Sequence, residues 1–152
     1  MTTFSITPAA PRDLPQIQHM IRCLSAFHGD EAEVTLEQLQ TFFFGDHAPT
    51  LAFVARDRRE IVGYAGVQKM LQIHSGGIGF DIQHLYVAER SRAQGVGRAL
   101  IAAVKAHAEE VGAKVVTIGT APNNPTAHAA YRAMGLEEIT DAGPRFRVFR
   151  DG

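Results

Sequence analysis

The sequence has little of the features that mark membrane, secreted or nucleic-acid-binding proteins. Its one cysteine, Cys23, allows no internal disulfide, which favours a reducing cytoplasm. No apolar run approaches the roughly 20 residues that span a bilayer, and the stretch from Met1 to Pro8 lacks the pattern of a signal peptide. The formal net charge is -1 with no long run of one sign. We therefore predict a cytoplasmic protein with neither a nucleic-acid nor a membrane partner.

Metal sites and nucleophilic serines are also poorly supported. The seven histidines show no tight metal-ligand spacing, so no metal is expected. The serines lack a nucleophile-elbow context. What the chain does have is 152 residues, of which 45% are hydrophobic and 20% are charged, as in one ordinary globular domain. We therefore predict a single domain over residues 1–152.

The spacing of apolar residues predicts an α/β (α+β) fold, with a mixed central sheet and helices on both of its faces. Glycines and N-cap residues mark the ends of the predicted helices. The predicted order is β-α-α-β-β-β-α-β-α-β-β. In chain order the elements are a strand at 4–7, helices at 14–24 and 36–43, strands at 51–55, 61–67 and 78–87, a helix at 96–108, a strand at 114–119, a helix at 127–134, and closing strands at 136–139 and 146–149.

The most informative segment is a strand that runs through a short turn directly into an amphipathic helix. Gly95 and Gly97 lie where the helix opens, so the backbone there can approach a ligand closely. The first helical N–H groups, at about residues 94–99, have no intrahelical acceptors, and with the helix dipole they suit a pyrophosphate. Arg92, together with Arg90 or Arg98, could add charge-assisted bonds to phosphate oxygens. An ordinary strand–helix connection is the alternative, because a partial glycine motif is weak.

Two motifs resemble those of the GNAT acetyltransferases. Arg92-Ala93-Gln94-Gly95-Val96-Gly97 is similar to the family's Arg/Gln-x-x-Gly-x-Gly/Ala. Downstream, Asn124-x-x-Ala127-x-x-x-Tyr131-x-x-x-Gly135-Leu136 resembles Asn-x-x-Ala-x-x-x-Tyr-x-x-x-Gly-Phe, with Leu136 in place of the usual Phe. The two motifs stand in the family's order, joined by a predicted helix and strand. The resemblance implies the GNAT fold over nearly the whole chain.

This resemblance implies acetyl-coenzyme A as the cosubstrate and assigns roles to particular positions. Backbone amides from Gln94 through Gly95, Val96 and Gly97 to Arg98 would hold the pyrophosphate, and Asn124 would contact the cofactor. The strand at Leu85, Tyr86 and Val87 would pair with the pantetheine arm and polarise the thioester carbonyl. Tyr131 would protonate the departing thiolate, a role that suits a phenol. Packing on its helix is the plain alternative for Tyr131.

The N-terminal half is similar to the diamine N-acetyltransferases of the spermidine/spermine type. Members of that branch usually carry Glu-Asp immediately before the Leu/Phe-x-Val of the central strand, where this sequence has Gln83 and His84. A glutamine cannot ionise, so the usual acidic side chain is missing. The shared segments are Thr35-Leu36-Glu37-x-Leu39, Phe43-Phe44-Gly45 with Pro49 four residues later, and Ile61-Val62-Gly63-Tyr64-Ala65.

The group that accepts the proton of the ammonium substrate stays open among three candidates. Asp81 ranks first, because it shares a face with Gln83 by the period-two rule and matches the glutamate base of another GNAT branch. His84 has a suitable type of side chain, but alternation points it to the opposite face unless a bulge intervenes. Water relayed through Gln83 is the third candidate.

Together these features predict an N-acetyltransferase that moves acetyl from acetyl-coenzyme A to a primary amine of a small molecule by direct attack. Two alternatives keep the cofactor site. The first is the same chemistry on a peptide or protein N-terminus. The second is a non-catalytic module that binds acyl-coenzyme A, which the glutamine at position 83 motivates. Kinship with the family also implies a homodimer.

Overall fold

The computed structural model describes residues 3–152, which divide into two compact units, residues 3–119 and residues 120–152. None of the helices within residues 3–152 is long and apolar enough to cross a membrane. The first unit contains the strands β1 (Phe4–Pro8), β2 (Thr50–Asp57), β3 (Glu60–Gln72), β4 (Gly77–Val87) and β5 (Val116–Ile118), and the helices α1 (Leu14–Phe27), α2 (Leu36–Phe44) and α3 (Val96–Val111); the second contains the helix α4 (Pro125–Ala133).

The five strands form one sheet in the order β1-β2-β3-β4-β5. The first four are antiparallel neighbours, and β5 runs parallel to β4, so the sheet is mixed as predicted. Side chains alternate between the two faces of β2: Phe53 and Ala55 pack into one core, whereas Ala52 and Val54 pack into the other. A strand with both faces buried requires cover on both sides.

Helices supply that cover on each face of the sheet. Leu100 and Val104 of α3 pack on the face that carries Phe53, while Ile17 of α1 and Leu39 of α2 pack on the opposite face. The predicted mixed sheet with helices on both faces is therefore confirmed, as is the element order up to α4.

A missing side chain brings α3 close to the sheet. A Cβ at Gly63 of β3 would lie 2.8 Å from Cγ1 of Val96 and 3.2 Å from Cδ1 of Leu100. Such distances are tighter than ordinary carbon contacts, so a larger residue would push the first turn of α3 outward. Gly63 thus sets the position of the start of α3 relative to the sheet.

A buried ion pair ties the start of α1 to β2. Asp13 stands at the N-cap position of α1, yet its carboxylate caps no helical N–H; it accepts from the backbone N–H of Ala10 at 2.8 Å. Both carboxylate oxygens also accept from the guanidinium of Arg56, which itself donates to Thr7. Asp13 is only 2% exposed, so these partners are what permit its charge to be buried.

The two predicted closing strands, Leu136 to Ile139 and Phe146 to Phe149, are wrong, because neither segment forms a strand. The apolar side chains of the second segment are largely exposed: Phe146 is at 85%, Val148 at 101% and Phe149 at 80%. Alternating apolar residues mark a segment that suits a half-buried strand. They do not supply the neighbouring backbone that a strand needs for its hydrogen bonds.

Candidate active site

The turn between β4 and α3 has the geometry of an anion site. Gly95 precedes α3 with φ +83°, a left-handed conformation that glycine adopts without strain. The first backbone bond of the helix runs from Ala99 N–H to the carbonyl of Gly95 at 3.0 Å. The N–H groups of residues 96–98 consequently have no acceptor within the helix and point toward its positive end.

One edge of the last part of β4 has no strand beside it. Pairing with β5 is confined to Phe80, Asp81 and Ile82, whereas pairing with β3 continues to Val87. No other strand within residues 3–152 pairs with the segment 85–87. Its outward N–H and C=O groups are therefore arranged to bind an extended ligand as a further strand would.

A bulge interrupts the pairing of β3 with β4. The register passes from Gly66 opposite His84 to Val67 opposite Ile82, so Gln83 is an extra residue. Before the bulge, Ile82 packs in the core beneath α3; after it, Leu85 does so as well. The extra residue therefore changes which positions face each side of the sheet, and it turns His84 away from α3.

A cavity of about 340 Å³ lies on the α1–α2 side of the sheet at this bulge. Its size is in the range of small-molecule sites. Carboxylates from the segment after α1 and apolar side chains from both helices line it together with polar groups of β3 and β4. They include Asp30, Glu31 and Glu33 from the segment, Phe42 and Phe43 from α2, and Tyr64, Gln83 and His84 from the strands.

His84 is the titratable side chain of β4 that lines this cavity. Its Nδ1 lies 3.2 Å from the hydroxyl oxygen of Tyr64, a side chain that is 1% exposed. Burial lowers the pKa of His84 below the ordinary value of 6.5. At neutral pH the imidazole is therefore uncharged and able to accept a proton.

Comparison with known proteins identifies the fold and the class of chemistry. The profile of the Acetyltransferase (GNAT) family matches residues 15–136. The chain belongs to the GNAT family. It is an acetyl-coenzyme A-dependent N-acetyltransferase, which confirms the enzyme class predicted from the sequence.

Two relatives share part of the GNAT sequence. The aminoglycoside N(6')-acetyltransferase type 1 of Stenotrophomonas maltophilia is 34% identical over 113 residues, which cover 71% of this chain and 72% of that protein. The uncharacterized N-acetyltransferase YhfO of Bacillus subtilis (strain 168) is 28% identical over 91 residues, covering 60% of this chain and 61% of that protein. The predicted GNAT kinship is confirmed, whereas neither of these relatives is named as a diamine enzyme.

Solved structures share the fold across almost the whole GNAT chain. An aminoglycoside acetyltransferase from an uncultured soil metagenomic sample, in complex with sisomicin, has a TM-score of 0.81 at 22% identity and 97% coverage of both chains. A ribosomal-protein-alanine N-acetyltransferase from Brucella melitensis biovar Abortus 2308 has a TM-score of 0.73 at 17% identity, with coverage of 96% and 99%. At these identities the likeness shows the fold alone.

The predicted phosphate-binding arginines of this GNAT chain are placed differently from one another. Arg92 donates from Nε to the carbonyl of Val87 at 3.0 Å, and its guanidinium lies 5.9 Å from the ring centroid of Tyr86. Arg90 pairs with Glu60, both side chains being largely exposed. Arg98 is exposed in the first turn of α3. Arg92 and Arg98 therefore flank the turn.

Asp81, the first-ranked base candidate, is not among the residues that line the cavity. Its Oδ1 accepts a 2.7 Å hydrogen bond from the hydroxyl of Thr117, which stands directly opposite on β5. Gln83 lines the cavity, and its side-chain amide donates to Gln68 of β3 at 2.7 Å. Of the three predicted candidates on this strand, His84 combines a titratable group with a place in the cavity wall.

The second unit carries the downstream GNAT motif. Asn124 caps α4, since its side-chain oxygen accepts from the N–H of Ala127 at 3.2 Å. Tyr131 lies on α4 and is half-buried, and burial raises the pKa of its hydroxyl above 10.0. A proton is consequently held on this phenol at neutral pH.

Sequence reasoning missed the residues behind His84. Tyr64 is part of a strand whose side chains are mostly buried, so its pattern gave no reason to single out its hydroxyl. The available signal was the tetrapeptide Gly63-Tyr64-Ala65-Gly66, in which small residues surround one large polar-tipped aromatic. Such spacing indicates close approach of neighbouring groups, though not which group approaches.

Proposed function

We propose that this chain transfers the acetyl group of acetyl-coenzyme A to a primary amine of a small molecule by direct attack. The observation that carries the proposal is the wall of the cavity at the β4 bulge. There an uncharged imidazole, His84, precedes Leu85, the first residue of the unpaired strand edge. A proton acceptor for the amine and a binding edge for the acetyl donor thus come from adjacent residues.

Several features fit the acetyl donor. Acetyl-coenzyme A supplies the activated acetyl group. The N–H groups of Val96, Gly97 and Arg98 at the start of α3 suit its pyrophosphate, and the exposed guanidinium of Arg98 adds positive charge there. The edge at residues 85–87 offers backbone groups to the pantetheine arm.

The resemblance assigns roles in the proposed chemistry to two residues of the second unit. The resemblance gives Tyr131 the role of proton donor to the departing thiolate, and the raised pKa of its hydroxyl keeps that proton in place at neutral pH. Asn124 uses its side-chain oxygen to cap α4, which leaves its amide N–H groups for the cofactor contact that the motif implies.

For the proton acceptor we infer His84 in preference to Asp81. An ammonium group must lose a proton before its nitrogen can attack the thioester. His84 lines the cavity as an uncharged imidazole, while the carboxylate of Asp81 accepts a hydrogen bond from the hydroxyl of Thr117. The preference reverses the order expected from the sequence.

The cavity favours an acceptor with more than one positive charge. Asp30, Glu31 and Glu33 line one part of it, and Phe42 and Phe43 give it an apolar wall. Carboxylates attract a second ammonium group, and aromatic side chains contact the carbon skeleton between charges. Diamines, which the sequence resemblance suggests, and aminoglycosides, after which the Stenotrophomonas maltophilia relative is named, both have this character.

The test is free-thiol release from acetyl-coenzyme A with a panel of diamines, polyamines, aminoglycosides, amino acids and N-terminal peptides. We expect turnover with a polycationic small molecule. His84→Ala should lower kcat/KM by about 100-fold or more, the usual contribution of a general base, and Asp81→Asn should have a smaller effect. Tyr131→Phe should lower kcat while coenzyme A binding persists. Turnover with peptides alone, or binding without turnover, would replace this proposal with one of the two alternatives.

Self-association follows from kinship and stays a prediction. The exposed side chains of Phe146, Val148 and Phe149 supply apolar surface that a second copy could cover. Light scattering coupled to gel filtration measures the mass directly, and a mass of one chain, 16.5 kDa, at micromolar concentration would contradict the homodimer.

A further inference from the structure

Tyr64 of β3 and His84 of β4 contact each other, and neither residue belongs to the two GNAT motifs. The phenol oxygen lies 3.2 Å from Nδ1, and the two rings stand 6.0 Å apart between centroids at an interplanar angle of 63°. Both residues line the cavity. The second ring nitrogen of the imidazole, Nε2, has no hydrogen-bond partner within residues 3–152.

The strand leaves room for this contact by omitting a side chain. Gly66 stands directly opposite His84 in the register of β3 and β4. A Cβ at Gly66 would overlap the hydroxyl oxygen of Tyr64 and lie 2.9 Å from its Cζ. Any residue larger than glycine would therefore displace the phenol from the imidazole, so three positions on two strands act together.

The proposed base role requires one of the two neutral forms of the imidazole, with the proton on Nδ1 and the lone pair on Nε2. A separation of 3.2 Å is within hydrogen-bonding distance, and either the ring N–H or the phenol O–H can be the donor across it. Burial raises the pKa of the phenol strongly, so Tyr64 remains a neutral hydroxyl. A neutral hydroxyl oxygen accepts a hydrogen bond both from an imidazole and from an imidazolium.

We propose that Tyr64 is a positioning residue for His84: its oxygen accepts the Nδ1–H and leaves the Nε2 lone pair open toward the acceptor amine. This rests on the proposed function, in which His84 is the base. In the step itself, an N–H bond of the ammonium breaks and an Nε2–H bond forms. The imidazolium keeps its bond to the oxygen of Tyr64, and its new proton then passes to water.

Other charged groups share the cavity and must be considered in any pH measurement. Asp30, Glu31 and Glu33 line it from the segment after α1; Gln83 is its neighbour on β4 and cannot ionise. The residues of α2 that line the cavity, Leu39, Phe42 and Phe43, carry no charge. A change in these carboxylates would act on substrate binding as well as on His84, whereas loss of the phenol acts on the imidazole.

Nitrogen-15 NMR of the histidine side chains tests the tautomer without any turnover. The signals of His84 are assigned by their loss in His84→Ala. Above its pKa, we expect Nδ1 to carry the proton in the wild type, and the preference to be lost in Tyr64→Phe. Protonation of Nε2 in the resting protein would overturn the proposal, because the phenol would then be the donor and the lone pair would not face the substrate.

A double-mutant cycle tests the consequence for catalysis. Tyr64→Phe should lower kcat roughly tenfold, as expected for one hydrogen bond, with KM for acetyl-coenzyme A unchanged. In the His84→Ala background the same change should lower it less than about twofold. Gly66→Ala displaces the phenol by another route. It should therefore lower kcat when His84 is present and have little further effect in the His84→Ala background. Equal losses in both backgrounds would assign Tyr64 a structural role only.

Failure of this inference and failure of the proposed function give different results. If His84→Ala retains full activity, the base assignment is wrong, although the NMR tautomer still reports on the contact with Tyr64. If His84→Ala is inactive and Tyr64→Phe is fully active, the base stands and the positioning role is refuted. Urea unfolding of each variant separates both outcomes from a loss of folded protein.

Discussion

Replacing Gly95 by alanine should weaken coenzyme A binding and strain the fold, whereas the same change at Gly97 should not strain the fold. Gly95 holds φ +83°, and the N–H groups of residues 96–98 follow directly from its conformation. An alanine there either accepts a left-handed conformation at a cost of about 1–2 kcal/mol or relaxes and rotates the turn. Gly97 has no positive φ, and an added Cβ would meet Leu85 at 3.8 Å and Val87 at 3.9 Å, which are ordinary contacts.

The magnitudes follow from these two environments. For Gly95→Ala we expect the free energy of unfolding to fall by about 1–2 kcal/mol, which in a chain of this size lowers Tm by roughly 2–8 °C. Loss of one hydrogen bond to a charged phosphate is worth about 1.5–3 kcal/mol, so Kd for coenzyme A should rise roughly 10- to 100-fold. For Gly97→Ala, stability should be unchanged or raised by up to about 1 kcal/mol.

Isothermal titration calorimetry with coenzyme A and urea unfolding measure the two quantities separately. The paired design matters, because both variants add one methyl group to the same turn and only one of them strains the backbone. An unchanged Kd for Gly95→Ala would refute the reasoning, since a turn that does not hold the pyrophosphate has no cause to respond to its own shape.

Three further predictions concern stability and pH. Asp13→Ala should lower the free energy of unfolding in urea by about 3 kcal/mol, because it leaves Arg56 unpaired. Burial alone would raise the pKa of Asp13, but hydrogen bonding to Arg56 and Ala10 outweighs burial and lowers this pKa below 3.8. The stability that the ion pair contributes is therefore present at neutral pH and should be lost as the pH falls through the lowered pKa. Gly63→Ala should cost about 1–3 kcal/mol by overpacking against Val96, whereas unchanged urea unfolding would show that α3 adjusts freely. The acid limb of kcat/KM should lie below pH 6.5, because burial lowers the pKa of His84 and the neutral imidazole is the active form; a limb above that value would exclude His84.

Most of the first unit was predictable because its elements have strong local signals. Thr35 begins α2 with reciprocal side-chain bonds to Gln38, and glycines at the ends of α1 and α3 adopt positive φ values, as the sequence pattern indicates. The apolar runs of β2 and β3 have both faces buried, which gives them an unmistakable composition. Local chemistry was sufficient wherever an element carries its own start, stop and core face.

The remaining features depend on contacts between distant parts of the chain. The register that leaves Gln83 unpaired is a relation between β3 and β4, and no property of residues 80–86 alone fixes it. The sequence placed Asp81 ahead of His84 because alternation without a bulge, together with the match to the glutamate base of another GNAT branch, favoured Asp81. The two predicted closing strands at 136–139 and 146–149 were wrong for a different reason. Their apolar residues do alternate, but no strand of the described sheet pairs with them.

The bulge at Gln83 explains why the donor and acceptor sites can share one strand. Without the extra residue, alternation from Ile82 would turn His84 toward α3 and would turn Leu85 and Val87 toward the cavity. With it, the strand presents His84 to the cavity while Leu85 and Val87 pack beneath α3, beside the turn that holds the free N–H groups. The extra residue at position 83 therefore acts through its backbone, which directs the imidazole of His84 to the cavity, although its glutamine side chain cannot act as a base.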